Sequence, residues 1–291
     1  MYRTRDHQGR PTTASGLVVL PDGRRGALRV AAYLHGTNAT RSAAATVSAD
    51  STDRLIAAMF AGAGMAAVAP DYLGLGLGPG SPPYLDLATE VGSTTDLLEA
   101  ARAFVRTRGV VLRREVMVTG FSQGGRTSLA VGRALQQGEA GWFRLGGVSA
   151  VAGPYDVLGT ELPAVFRGEV PAETAVYYLA YLVTAWDRTV GLYDDPRDAF
   201  QPAYAEVVEG WFDGSHTYEG ARAAAAAPAH RPLHPSVPGR ACGTRPGSSA
   251  GHWPRVTGSA ATGRPGSPSP STPAPPTPMS CRPTPRPALA T

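Results

Sequence analysis

The stretch Val116-Met117-Val118-Thr119-Gly120-Phe121-Ser122-Gln123-Gly124-Gly125 decides the fold. Its first half is an apolar run of strand character ending at Gly120, and a helical pattern begins just after Ser122. Between them lies Gly-x-Ser-x-Gly, the spacing of a nucleophile elbow. A serine at the tip of so sharp a strand-to-helix turn sits in strained backbone. Side chains two positions to either side would collide with the neighbouring strand or helix, so the turn requires Gly120 and Gly124. Oγ then projects clear of the sheet, beside the N–H groups and positive dipole end of the following helix.

Working outward, the pattern alternates. Residues 16–20 read as a strand, Pro21-Asp22-Gly23 as a turn, and 27–34 as a buried strand running into His35-Gly36-Thr37. Residues 51–63 read as a helix capped by Ser51 or Thr52 and ended by Gly62 or Gly64. A short apolar strand over 65–69 leads into Pro70-Asp71-Tyr72-Leu73-Gly74-Leu75-Gly76-Leu77-Gly78. These alternate glycines are not Gly-x-Gly-x-x-Gly, and prolines 79, 82 and 83 follow where a dinucleotide-binding turn would start a helix. The segment is a loop. A long amphipathic helix over 87–108 precedes the elbow strand, a helix over 124–137 follows it, and a strand over 145–152 ends in Gly153-Pro154-Tyr155-Asp156. Residues 1–12 are polar.

Strand and helix in alternation predict an α/β fold with a mostly parallel sheet. Ligands in such sheets sit beyond the C-terminal ends of the strands. His35, Asp71, Ser122 and Asp156 all lie just past such ends, and this convergence marks the site. His35 is read as a hydrogen-bonded side chain that holds its loop, leaving an N–H of Gly36 or Thr37 as the useful group. From 157 to 213 the pattern turns helical and aromatic, with Tyr177, Tyr178, Tyr181, Trp186, Tyr193, Phe200, Tyr204, Trp211 and Phe212. Two readings stand: helices packed on the sheet, or a cap with an apolar pocket for an acyl or aromatic group.

Charge divides the chain near residue 220. All 23 acidic residues come before it, while residues 221–291 hold eight arginines, 16 of the 27 prolines and both cysteines, Cys242 and Cys281. The net charge of +4 comes from this tail, so it implies no nucleic-acid surface on the folded part. The tail reads as disordered, and His230, His234 and His252 have no strand to place them. Its composition is that of a GC-rich gene read out of frame, or of a genuine basic linker. No apolar run reaches the roughly 18–20 residues that cross a membrane. Met1–Asp6 lacks a signal-peptide stretch, so the cytoplasm is the default compartment, with secretion open if the N-terminus is clipped. Two distant cysteines suggest neither a disulfide framework nor a zinc site. No metal or organic cofactor is indicated.

Taken together, Tyr33-Leu34-His35-Gly36-Thr37, Pro70-Asp71-Tyr72-Leu73-Gly74-Leu75-Gly76, Pro83-Tyr84-Leu85 and Gly120-Phe121-Ser122-Gln123-Gly124-Gly125 carry a resemblance over roughly residues 10–220. The chain resembles the α/β-hydrolase superfamily, and within it the bacterial and fungal secretory lipase/esterase group. The resemblance implies a core over 1–156, a helical cap over 157–220 and hydrolysis of a small-molecule ester or lipid. Ser122 would be the nucleophile and Gln123 with Gly36 or Thr37 the oxyanion donors. His35, Asp71 and Tyr72 would line the site. The acid and then the histidine should follow on two later strands, and the sequence shows neither strand. Asp156, Asp194, Asp195 and Asp213 are acids by order only, and His216 reads as a surface or capping residue. Three readings stay open: a serine esterase, a catalytically incomplete remnant lacking acid and histidine, and a peptidase or acyltransferase on the same scaffold.

Overall fold

The computed structural model describes residues 1–24, 26–217 and 220. The tail reading for residues 221–291, including His230, His234 and His252, lies outside the described residues.

The polar N-terminus does form an element. β1 (Tyr2–Arg5) pairs antiparallel with β2 (Pro11–Ala14), with Tyr2 opposite Ala14. Asp6 closes the turn by accepting from the Gln8 and Arg10 N–H groups, both at 2.9 Å. The hairpin buries Tyr2 and Thr4 and leaves Arg3 and Arg5 outside, a period of two that four residues are too short to make prominent.

The sheet is built from β3 (Gly16–Val19), β4 (Gly26–Leu34), β5 (Ala66–Pro70), β6 (Val110–Phe121) and β7 (Arg144–Val151), in the spatial order β3-β5-β4-β6-β7. All its pairings are parallel except β3 with β5. β4 lies between β5 and β6, and Val30 to Leu34 are buried on both faces. A continuous apolar run is what such a two-sided position requires.

Helix α1 (Thr52–Gly62) covers one face, where Ala57, Ile56 and Phe60 meet Tyr33, Ala67 and Ala69. α2 (Leu87–Arg106) and α3 (Gln123–Gln137) cover the other, packing Leu97, Leu98, Ala101, Val131 and Leu135 onto Val30, Val68, Val116 and Val118. Asp86 caps α2 by accepting from the Ala88 N–H at 3.1 Å, and the αL glycine at 138 closes α3. Among the described residues β7 pairs only with β6. Met117, Phe121 and Val151, on the face away from α3, are about half exposed.

Beyond β7 come one π-helical turn (Val157–Glu161), α4 (Leu162–Phe166), α5 (Ala172–Val190), α6 (Pro202–Ala205) and α7 (Val208–Trp211). Aromatic rings join this layer to the loops above the sheet. Tyr181 stacks on Tyr84 with centroids 4.1 Å apart and on Phe212 at 4.6 Å. Its hydroxyl donates to the Asn38 carbonyl at 3.0 Å. Each such ring pair adds about 0.5–1.5 kcal/mol beyond the apolar area it buries.

Tyr181 therefore ties α5 to two loops and α7 at once. Tyr181→Ala is expected to destabilise the fold by about 3–5 kcal/mol. The fall of the urea midpoint measures it, with Tyr181→Phe losing only the Asn38 bond, about 1 kcal/mol.

Candidate active site

β6 ends at Phe121 and α3 begins at Gln123, so Ser122 alone makes the turn, at φ 55° and ψ −120°. A non-glycine residue there stores about 1–3 kcal/mol of backbone strain. The surroundings enforce it. A Cβ on Gly120 would fall well under 3.0 Å from the Gly124 and Leu34 backbones, and one on Gly124 would do the same against the Leu34 and His35 carbonyls. At both positions the neighbouring backbone leaves no space for a side chain. Gly125 is equally confined, 2.5 Å from the Val151 carbonyl by the same measure. The Ser122 N–H donates to that Val151 carbonyl at 2.9 Å.

The loop after β4 lies against this turn. A Cβ on Gly36 would be 3.6 Å from Ser122 Cβ, so the Gly36 backbone lies close to the serine. His35 is buried, with Nδ1 2.7 Å from the Gly36 carbonyl and Nε2 3.2 Å from the Asp71 carbonyl. Its ring rests on Tyr72 at 4.3 Å. The side chain joins two loops. Thr37 Oγ1 is 2.9 Å from the Tyr84 hydroxyl. Gln123, the residue after the serine, is the first residue of α3, where backbone N–H groups have no intrahelical acceptor.

Asp71 is only 1% exposed. It accepts from Ser15 Oγ at 2.6 Å and from Thr46 Oγ1, while its own N–H donates to the Ser15 carbonyl at 3.0 Å. Those bonds use its carboxylate to clamp β3 to the loops around it. A Cβ on Gly76 would collide with the same pair, which explains that glycine. Asp156 caps the π-turn through the Gly159 N–H at 2.9 Å. Asp195 caps a short turn through the Arg197 N–H at 2.8 Å. Asp213 accepts from Ser215 Oγ at 2.6 Å, and Ser215 Oγ is 3.0 Å from His216 Nδ1. These three side chains form a local, half-exposed cluster, anchored where Thr40 Oγ1 donates to the His216 carbonyl.

A cavity of about 250 Å³ opens at Ser122. Tyr84, Leu85, Ala152 and Pro154 frame it on the sheet side, and Val157, Leu162, Val165, Tyr178, Leu179 and Leu182 form its far wall. Glu161 and Thr174 are its polar members beyond the serine. Residues between 157 and 182 thus form much of the cavity wall. Asp71, Tyr72 and the described histidines are not among its lining residues. No group of three or more metal-ligating side chains occurs among the described residues.

Two residues of the site were missed in the sequence, Glu90 and Thr127. Glu90 is 2% exposed, and its carboxyl accepts from Gln123 Nε2 at 2.6 Å and meets Thr127 Oγ1. Burial raises its pKa, against the lowering effect of the Thr127 and Gln123 hydrogen bonds. Burial likewise pushes the Tyr72 and Tyr84 phenols up and the Arg126 guanidinium down. The available signal was spacing. Positions 90, 94, 97, 101 and 105 form one helical stripe, so the buried Leu97, Ala101 and Val105 carry Glu90 inside with them.

The architecture is similar to that of solved esterases and hydrolases. No protein-family model matches the sequence, and no curated protein does. Among solved structures the chain is similar to the rice cell wall degrading esterase LipA from Xanthomonas oryzae, with 27% identity and a TM-score of 0.69 over 81% of this chain and 64% of that one. It is also similar to a putative hydrolase from Legionella pneumophila, with 26% identity and a TM-score of 0.68 over 77% and 59%. The fold is that of the α/β-hydrolases. Candida antarctica lipase A shares this hydrolase fold at 14% identity and a TM-score of 0.50, over 72% of this chain and 48% of that one. The chain spans less than two thirds of the length of each of these hydrolases.

Asp71→Ala removes the acceptor of the buried Ser15 hydroxyl and of the half-buried Thr46 hydroxyl, and a buried hydroxyl costs about 1–3 kcal/mol to leave unsatisfied. A loss of about 2–4 kcal/mol is expected by denaturant unfolding, and a smaller one for Asp71→Asn, which keeps an acceptor oxygen. An unchanged midpoint in Asp71→Ala would show that Asp71 does not act as a clamp.

Proposed function

We propose that this chain is the nucleophile-bearing part of a serine ester hydrolase. The observation that carries the reading is Ser122, alone at a strained turn, opening onto an apolar cavity with the Gly36 backbone beside it. Ser122 Oγ would attack the ester carbonyl carbon, and its proton would pass to a base. The carbonyl oxygen would gather negative charge facing the N–H groups of Gln123 and of Gly36 or Thr37. Collapse of that adduct would expel the alcohol and leave the acyl group on Ser122, and water would then release the acid.

The cavity supports an acyl group as the buried part of the substrate. Its far wall is largely aliphatic, and at about 30 Å³ per water-sized group it holds on the order of eight such groups. That is room for a short or medium acyl chain. A peptidase or acyltransferase on this scaffold would use the same elbow, and the apolar wall gives neither a peptide groove. That no described histidine lines the cavity favours a second reading, a catalytically incomplete hydrolase. Triad members act as a unit, so losing the base costs several powers of ten in rate.

A fluorophosphonate separates the two readings. Ser122 Oγ displaces fluoride from phosphorus, forming a stable adduct whose mass is read directly. For a competent enzyme, labelling of this chain and hydrolysis of p-nitrophenyl butyrate are expected, and both should vanish in Ser122→Ala. Absence of labelling in folded protein would leave the incomplete hydrolase.

A further inference from the structure

We propose that Glu90 is a positioning residue for Gln123, the neighbour of Ser122 whose N–H would face the developing oxyanion. The inference rests on the nucleophile reading above for its chemical meaning, and on geometry alone for its structural content. Gln123 and Thr127 stand one helical turn apart on α3, and the Glu90 carboxyl of α2 reaches both. Oε1 accepts from Gln123 Nε2 at 2.6 Å. Oε2 meets Thr127 Oγ1, and that same hydroxyl lies 3.0 Å from the Gln123 carbonyl oxygen. One carboxyl thus fixes Gln123 by its side-chain amide directly and by its carbonyl through Thr127.

Counting protons shows the form in which the brace is complete. Thr127 Oγ1 carries one hydrogen and faces two oxygens that accept. If Glu90 is the neutral acid, its O–H donates to Thr127 Oγ1, and the threonine donates onward to the Gln123 carbonyl. Each contact is then a hydrogen bond. If Glu90 is ionised, Thr127 must turn toward the carboxylate and gives up its bond to Gln123. Burial favours the neutral form, as the raised pKa of Glu90 reflects. The charged and titratable groups facing it are Arg126 from α3, whose guanidinium donates to the Leu85 carbonyl at 2.9 Å, Asp86 just before α2, the Tyr72 and Tyr84 phenols from the loop between β5 and α2, and the Tyr181 phenol from α5. Arg126 favours ionisation, and Asp86 opposes it.

A glutamine at 90 would copy the neutral acid atom for atom, its NH2 in place of the O–H. The sign of the pH effect follows. A carboxyl whose pKa is raised by folding stabilises the folded state below its unfolded value, near 4.5, and loses that contribution as pH rises through the folded value.

The full chain, Glu90→Gln and Glu90→Ala are compared by amide hydrogen exchange of the peptide covering 121–127, by melting temperature from pH 4.5 to 8, and by the rate of fluorophosphonate labelling. Glu90→Gln should match the parent at pH 4.5 and become the more stable of the two as pH rises. Glu90→Ala should exchange its elbow amides at least about tenfold faster and, where labelling occurs, label at least about tenfold slower. Equal elbow exchange in folded Glu90→Ala would overturn the proposal, as would parallel melting profiles of the parent and Glu90→Gln. If Glu90→Ala does not fold, that second comparison still decides. If the parent is never labelled, the nucleophile reading fails while the exchange and melting results still judge Glu90.

Discussion

The contact between the Gly124 backbone and the carbonyl of Leu34 is the constraint on which the rest is built. It brings the start of α3 onto the end of β4 with no space for a single carbon between them. From that closeness come the sharp turn, the positive φ of Ser122, and the placement of Gly36 beside the serine. A looser approach would let the turn relax by a residue and swing the hydroxyl off the cavity. The elbow is therefore set by how closely β4, β6 and α3 can pack. The strain at Ser122 is sustained because that core over-determines it.

Two polar braces stand behind the turn, and both are buried. Asp71 holds β3 and its neighbouring loops through hydroxyl donors, and Glu90 gathers the first turn of α3. Each carboxyl has a desolvation cost that an aliphatic side chain would avoid. What they supply in exchange is direction, because a hydrogen bond fixes an angle where an apolar contact fixes only a distance. The aromatic layer holds its elements differently, through the broad, stacked faces of Tyr84, Tyr181 and Phe212.

The sequence was legible where one residue type admits one geometry. The glycines around Ser122, the β4 run and the helices over 52–62 and 87–106 all fall where period and sterics place them. The hairpin of Tyr2 to Ala14 escaped because four-residue strands hold too few alternations to stand above a polar background. Asp71 stood out by position, past a strand end, but position could not reveal that Ser15, 56 residues upstream, would occupy its carboxylate. Glu90 was hidden by the opposite problem: a charged residue in a helix is read as solvated unless its stripe is followed inward. Partners distant in sequence decided the role of both carboxyls.

The serine's amide hangs from Val151, on the outermost described strand of the sheet. A strand joined to its sheet along one side frays more readily than one joined along two, since half as many ladder bonds oppose its opening. Each such excursion of β7 would release the Ser122 N–H and allow the turn to relax. The lifetime of the strained serine is thus coupled to a strand that meets it through Val151, and reinforcing that strand would hold the turn more firmly without touching it.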